Sequence, residues 1–107
     1  MGNRAVIIDK DAYYDRYPTV GIYVHWYDKD DLLGWLKTCR ERGYRSTTAD
    51  LSYGMARLCE IACEDYHTDG YNIGLMVIDP VRDTPKNMLL DVGFVLVSNH
   101  EIVEVIE

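Results

Sequence analysis

Val20-Gly-Ile-Tyr-Val-His-Trp-Tyr27 alternates apolar with semi-polar residues, and the segment that follows, Asp28-Lys-Asp-Asp-Leu-Leu-Gly-Trp-Leu-Lys-Thr-Cys39, spaces its apolar residues as a helix does. A switch from period two to a period of about 3.6 puts a strand directly before a helix. In the strand, Val20, Ile22, Val24 and Trp26 form an apolar face expected to bury, and Gly21, Tyr23, His25 and Tyr27 form the other. In the helix, Leu32, Trp35, Leu36 and Cys39 make the inner stripe. Asp28 to Asp31 supply a cap and dipole-complementing carboxylates at its start; Lys37, Arg40 and Arg42 load its end, and Gly43 offers a left-handed stop. The spacing predicts a helix over 30–42.

Working outward, a second helix is predicted over 48–67, opening near Thr47 or Thr48 and burying Leu51, Met55, Leu58, Cys59, Ala62 and Tyr66, with Asp69-Gly70 as its stop. Arg4 to Asp9 is a short β-branched run that suits a first strand, and Asp11 to Pro18, with turn formers and three tyrosines, reads as a loop. Tyr71 to Ile78 is a third strand and Val81 to Met88 a polar loop. The runs from Leu89 or Val92 to Val97 and from Ile102 to Ile106 form a C-terminal hairpin with Asn99 in the left-handed region. The order ββααβββ specifies an α+β fold of two layers, an antiparallel or mixed sheet with both helices on one face.

A chain of 107 residues forms one domain, and a domain of this size buries roughly two thirds of its unfolded surface. Hydrophobic residues at 48% against 27% charged exclude wholesale disorder. No apolar run reaches the roughly 20 residues of a membrane span, and Met1-Gly2-Asn3-Arg4 is not followed by a long apolar signal core, so a cytoplasmic protein is expected. The net charge of −7 disfavours nonspecific binding to nucleic acid or anionic lipid.

Cys39, Cys59 and Cys63 are expected as buried free thiols. Cys59, Cys63 and His67 share a helical spacing, but eight residues of helix rise about 12 Å, too far for the outer two to ligate one ion. No metal and no cofactor are therefore expected. His25 with Asp28 could form an acid–base pair, yet no nucleophile accompanies them: Ser46, Ser52 and Ser98 stand in no nucleophile motif, and no glycine-rich phosphate loop occurs. A catalytic constellation is missing.

Nine tyrosines are the most unusual feature of the composition. Tyr13, Tyr14 and Tyr17 in one loop, with Tyr23, His25 and Tyr27 on one strand face, can form a contiguous aromatic contact surface, since tyrosine supplies contact area at low entropic cost. The alternative is a second packing layer on the far side of the sheet. The final strand Ile102-Val-Glu-Val-Ile106, expected at a sheet edge, makes a homodimer an open expectation, because Glu101, Glu104 and Glu107 defend that edge only in part.

Gly2-Asn3-Arg4-Ala5-Val6, Gly21-Ile22-Tyr23-Val24-His25-Trp26, Arg42-Gly43-Tyr44-Arg45 and Ala56-Arg57-Leu58-Cys59, in this order and spacing, resemble a family of small acidic proteins carried by phages and integrated elements of Gram-positive bacteria. The chain departs from that pattern at Tyr27-Asp28-Lys29, where the family has Asn-Gly-Gly, and at Asn99-His100, where it has an Asp-Asn-Gly type of turn. The resemblance implies a non-catalytic mobile-element protein that inhibits a host defence, as anti-CRISPR proteins do. Its partner would be a defence protein or nucleoprotein complex in the bacterial cytoplasm. An alternative is a sponge for a small nucleotide signal, with tyrosines stacking on the base and Arg4, Arg16 or Arg45 meeting phosphate. A third is a structural or regulatory interaction module.

Overall fold

The computed structural model describes residues 2–65 and 72–107. Its elements run β1 (Ala5–Asp9), α1 (Lys10–Tyr14), β2 (Thr19–Val24), α2 (Lys29–Glu41), α3 (Leu51–Asp65), β3 (Ile73–Ile78), β4 (Gly93–Ser98) and β5 (Glu101–Ile106). The five strands form one mixed sheet in the order β3-β2-β1-β4-β5, antiparallel throughout except for the parallel pair β1 and β4. The α+β class and the packing of α2 and α3 on one face follow the sequence reading. The predicted end of the second helix at Tyr66 and His67, the Asp69-Gly70 stop and the strand start at Tyr71 lie outside the described residues.

Alternation along the strands sends Ala5, Ile7, Ile22, Val24, Val95 and Val97 to the helical face, where they pack with Leu32, Trp35, Leu36, Cys39, Met55, Leu58, Ile61 and Ala62. The other face carries a second apolar cluster of Val6, Ile8, Ile78, Phe94 and Leu96. Tyr13 of α1 and Met88 and Leu90 of the loop before β4 pack onto it. β1 and β4, with neighbours on both sides and covered on both faces, are buried along their whole length.

α1 corrects the loop expected over Asp11 to Pro18, whose first residues are helical. Asp9 caps it, accepting from the backbone N–H of Asp11 at 3.1 Å and of Ala12 at 3.2 Å. The chain leaves α1 through Arg16 in the left-handed region (φ 61), with Arg16 N–H bonded to the Tyr13 carbonyl and Tyr17 N–H to that of Ala12. α2 ends in the same way at Gly43 (φ 74), as its sequence foretells. The β4–β5 turn places Asn99 (φ 52) and His100 (φ 63) both in the left-handed region, the geometry of a type I′ hairpin.

α3 begins at Leu51, later than predicted, because Thr47 and Thr48 turn their hydroxyls to the buried carboxylate of Asp9 at 2.6 and 3.2 Å. Asp50 caps the helix instead, accepting from Tyr53 N–H at 3.2 Å. Four assignments on α3 change. Leu51 is exposed and Ile61 is buried; Cys63 is exposed and Cys59 half-buried, so only Cys39 is a fully buried thiol.

Candidate functional site

β2 ends at Val24, and its strand alternation ends with it. His25 N–H still bonds to the Asn72 carbonyl at 2.8 Å, but Trp26 makes a parallel bridge with Asn3, and Tyr27 N–H bonds to the Asn3 carbonyl at 3.0 Å. The change of direction turns Trp26 outward, 49% exposed, and carries Tyr27 onto the helical core. Both positions correct the sequence reading, which extended the period-two pattern through residue 27, buried Trp26 and left Tyr27 on the contact face.

Tyr23 and His25 remain together on the face opposite the helices. The Tyr23 hydroxyl and His25 Nδ1 share a hydrogen bond of 2.9 Å, and the indole of Trp26 meets the imidazole edge-on with ring centroids 4.9 Å apart. Behind them, a Cβ on Gly2 would lie 2.6 Å from the His25 carbonyl oxygen and 2.9 Å from Nε2, so the N-terminal backbone packs directly on the imidazole. Arg4 donates from its backbone N–H and from Nε to Asp91 Oδ2 at 3.0 and 2.9 Å. Those bonds hold the Asp91 carboxyl down at about 2, well below the usual carboxylate range. The result is an ordered aromatic cluster, Tyr23–His25–Trp26, on the N-terminal end of the sheet.

The loop tyrosines go elsewhere. Tyr13 packs edge-on against Phe94 at 5.9 Å and belongs to the second apolar cluster, which is the packing-layer alternative. Tyr14 stands edge-on to Tyr13 at 5.2 Å and donates its hydroxyl to Glu104 of β5, a bond that raises its pKa. Tyr17 is 67% exposed beyond α1. Burial, with Asp28 nearby, raises the pKa of Tyr27. Tyr13 and Tyr23 thus pack on the same second apolar cluster, Tyr23 also bonded to His25 and Tyr14 standing edge-on to Tyr13, while Tyr27 turns to the helical face and Trp26 is the member that sequence reasoning missed.

Other candidates have structural partners. Asp28 caps α2 by accepting from Asp30 N–H at 2.8 Å, whereas His25 bonds to Tyr23. Ser46 caps Ala49 N–H at 3.1 Å, and Ser98 accepts from Thr48 at 3.0 Å. The Sγ atoms of Cys59 and Cys63 lie 4.0 Å apart, and burial, then the neighbouring thiol, pushes Cys59 up to about 11, keeping it protonated at neutral pH. Among the described residues no group of three or more His, Cys, Asp or Glu side chains could hold a metal ion; His67 lies outside them. Arg4 is paired with Asp91, Arg45 with Asp50, and Arg16 lines a cavity of about 160 Å³ with Tyr13, Tyr14 and Pro80. No helix among the described residues is long and apolar enough to cross a membrane.

The chain matches no protein-family model, no curated protein and no solved structure.

Proposed function

We propose that this chain is a non-catalytic binding protein that docks a protein partner on the Tyr23–His25–Trp26 cluster. The observation that carries the reading is Trp26, 49% exposed yet ordered edge-on against His25, which is itself hydrogen-bonded to Tyr23. Trp and Tyr dominate binding hot spots, and an anchor held in place before binding loses little entropy on contact. The net charge of −7 favours a basic partner. In line with the resemblance described above, the partner class is a host defence protein or nucleoprotein complex of CRISPR type, inhibited by acidic and aromatic contacts in the bacterial cytoplasm. The nucleotide-sponge alternative has less support, because the cavity beside Arg16 is about 160 Å³, below the roughly 300 Å³ at which small-molecule sites begin.

The test is capture from nuclease-treated bacterial lysate with wild type, Trp26→Ala and Tyr23→Ala, followed by affinity measurement on the captured partner. Loss of at least about 1 to 2 kcal/mol in each variant, with cooperative unfolding retained, is the expected result for anchors. Capture undiminished in both variants, or a thermal shift with a nucleotide and no protein bound, sinks the reading.

A further inference from the structure

We infer that β3 is the docking edge for a second copy of this chain, the two strands pairing antiparallel across a twofold axis to join two five-stranded sheets into one. β3 lies at the end of the sheet with β2 as its neighbour. Its sequence, Ile73-Gly-Leu-Met-Val-Ile78, carries no charge and no proline, the usual defences of an exposed edge.

The ladder decides which groups face outward. His25 bonds to Asn72, and antiparallel pairing then alternates, so Gly74, Met76 and Ile78 direct their backbone groups to β2 opposite Tyr23, Gly21 and Thr19. The N–H and C=O of Ile73, Leu75 and Val77 point away from β2, to an edge on which no strand pairs among the described residues. Side chains of these same three residues lie on the helical face, where Leu75 is 63% and Val77 70% exposed. There Leu75 and Val77 line an apolar cleft of about 460 Å³ beside α3, with Pro18, Val20, Leu51 and Met55. One strip thus offers both the backbone groups and the apolar surface that an added strand needs.

A second copy matches that strip. Pairing Leu75 with Leu75 on the axis sets Ile73 against Val77 on either side, so every inward contact is apolar and no charge meets its like. The α3 walls that approach across the axis present Ser52 and Ala56, small and uncharged. The exposed parts of Val20, Leu51, Leu75 and Val77 amount to on the order of 400 Å², the size of the largest apolar patch on a typical protein surface, which is often functional. With the strand backbone added, the contact approaches the roughly 600 Å² per partner of small stable interfaces. The opposite edge fits worse: β5 carries Glu101 and Glu104, charges of the kind that defend an edge, and a twofold pairing centred between Ile102 and Val103 would set Glu101 against Glu104 of the copy. The aromatic cluster lies on the other face of the sheet and stays open in the dimer.

Sedimentation velocity on the full chain from about 1 to about 100 μM tests this, at about 0.05 and about 0.5 M salt. A reversible dimer is expected, tightened by salt because repulsion between copies of charge −7 is screened. Docking of a basic partner responds to salt in the opposite sense. Val77→Lys should weaken dimerisation at least tenfold with the far-ultraviolet circular dichroism unchanged; Leu75→Thr provides the same test without a charge, and Val105→Lys on β5 should leave the dimer intact. Monomer at every concentration and salt overturns the proposal, as does a dimer that survives both β3 substitutions or dissolves on Val105→Lys. A wild-type monomer whose lysate capture is lost in Val77→Lys overturns it too, assigning the edge to a foreign strand.

Discussion

Trp35 and Trp26 receive opposite treatment from the same fold. Trp35 is 4% exposed and donates its indole N–H to Asp65 at 2.9 Å, tying α2 to α3. Its replacement by Ala should cost about 3 to 5 kcal/mol in urea unfolding, whereas Trp26→Ala should stay within about 1 kcal/mol and act on binding. Asp9 is the other decisive residue. Its buried carboxylate accepts from two backbone N–H groups and two threonine hydroxyls, joining the end of β1 to α1 and to the segment before α3. Asp9→Ala removes a cap and leaves buried donors without an acceptor, for an expected loss of about 3 kcal/mol in chemical denaturation. In the sequence Asp9 is simply the last residue of the first strand; its four partners are scattered from residue 11 to residue 48, and only folding collects them.

Among the elements, α2 was legible nearly to the residue because its cap, its stripe and its glycine stop all lie within the segment. α1 was not. A helix of five residues is far below the length that is stable alone, and it persists because Ala12 is buried and Tyr13 packs on Phe94. Two glycines separate local propensity from tertiary contact. A Cβ on Gly54 would sit 2.6 Å from backbone atoms of Ser46 and Thr47, while one on Gly34 meets nothing within 4 Å. Calorimetry should therefore show Gly54→Ala melting lower, by about 1 to 3 kcal/mol, and exposed Gly34→Ala melting higher, by up to about 1 kcal/mol. The Arg4–Asp91 pair fastens the start of β1 to the segment entering β4. Because the folded Asp91 pKa of about 2 lies below the ordinary aspartate value of 3.8, its stabilisation is complete above about pH 4 and is lost as pH falls through 2. Asp91→Asn should flatten the dependence of the urea midpoint on pH across that window.

At the scale of the whole molecule, the sheet buries apolar residues on both faces, with α2 and α3 on one and α1 with the loop before β4 on the other. The balance leaves one edge uncharged and one end aromatic, the surfaces assigned above to a second copy and to a partner. Period-two and helical patterns, caps and turn residues are local properties, and by themselves they determined the α+β class, the order of the strands and main helices, the Gly43 stop and the left-handed Asn99 turn. Which strands became neighbours, where β2 stopped alternating and which tryptophan faced water were decided by long-range pairing. Asn3 captures the chain beyond Val24, and the parallel pairing of β4 with β1 pushes β3 and β5 to the edges. Such choices depend on contacts between residues far apart in sequence, so no window along the chain contains the partners that settle them.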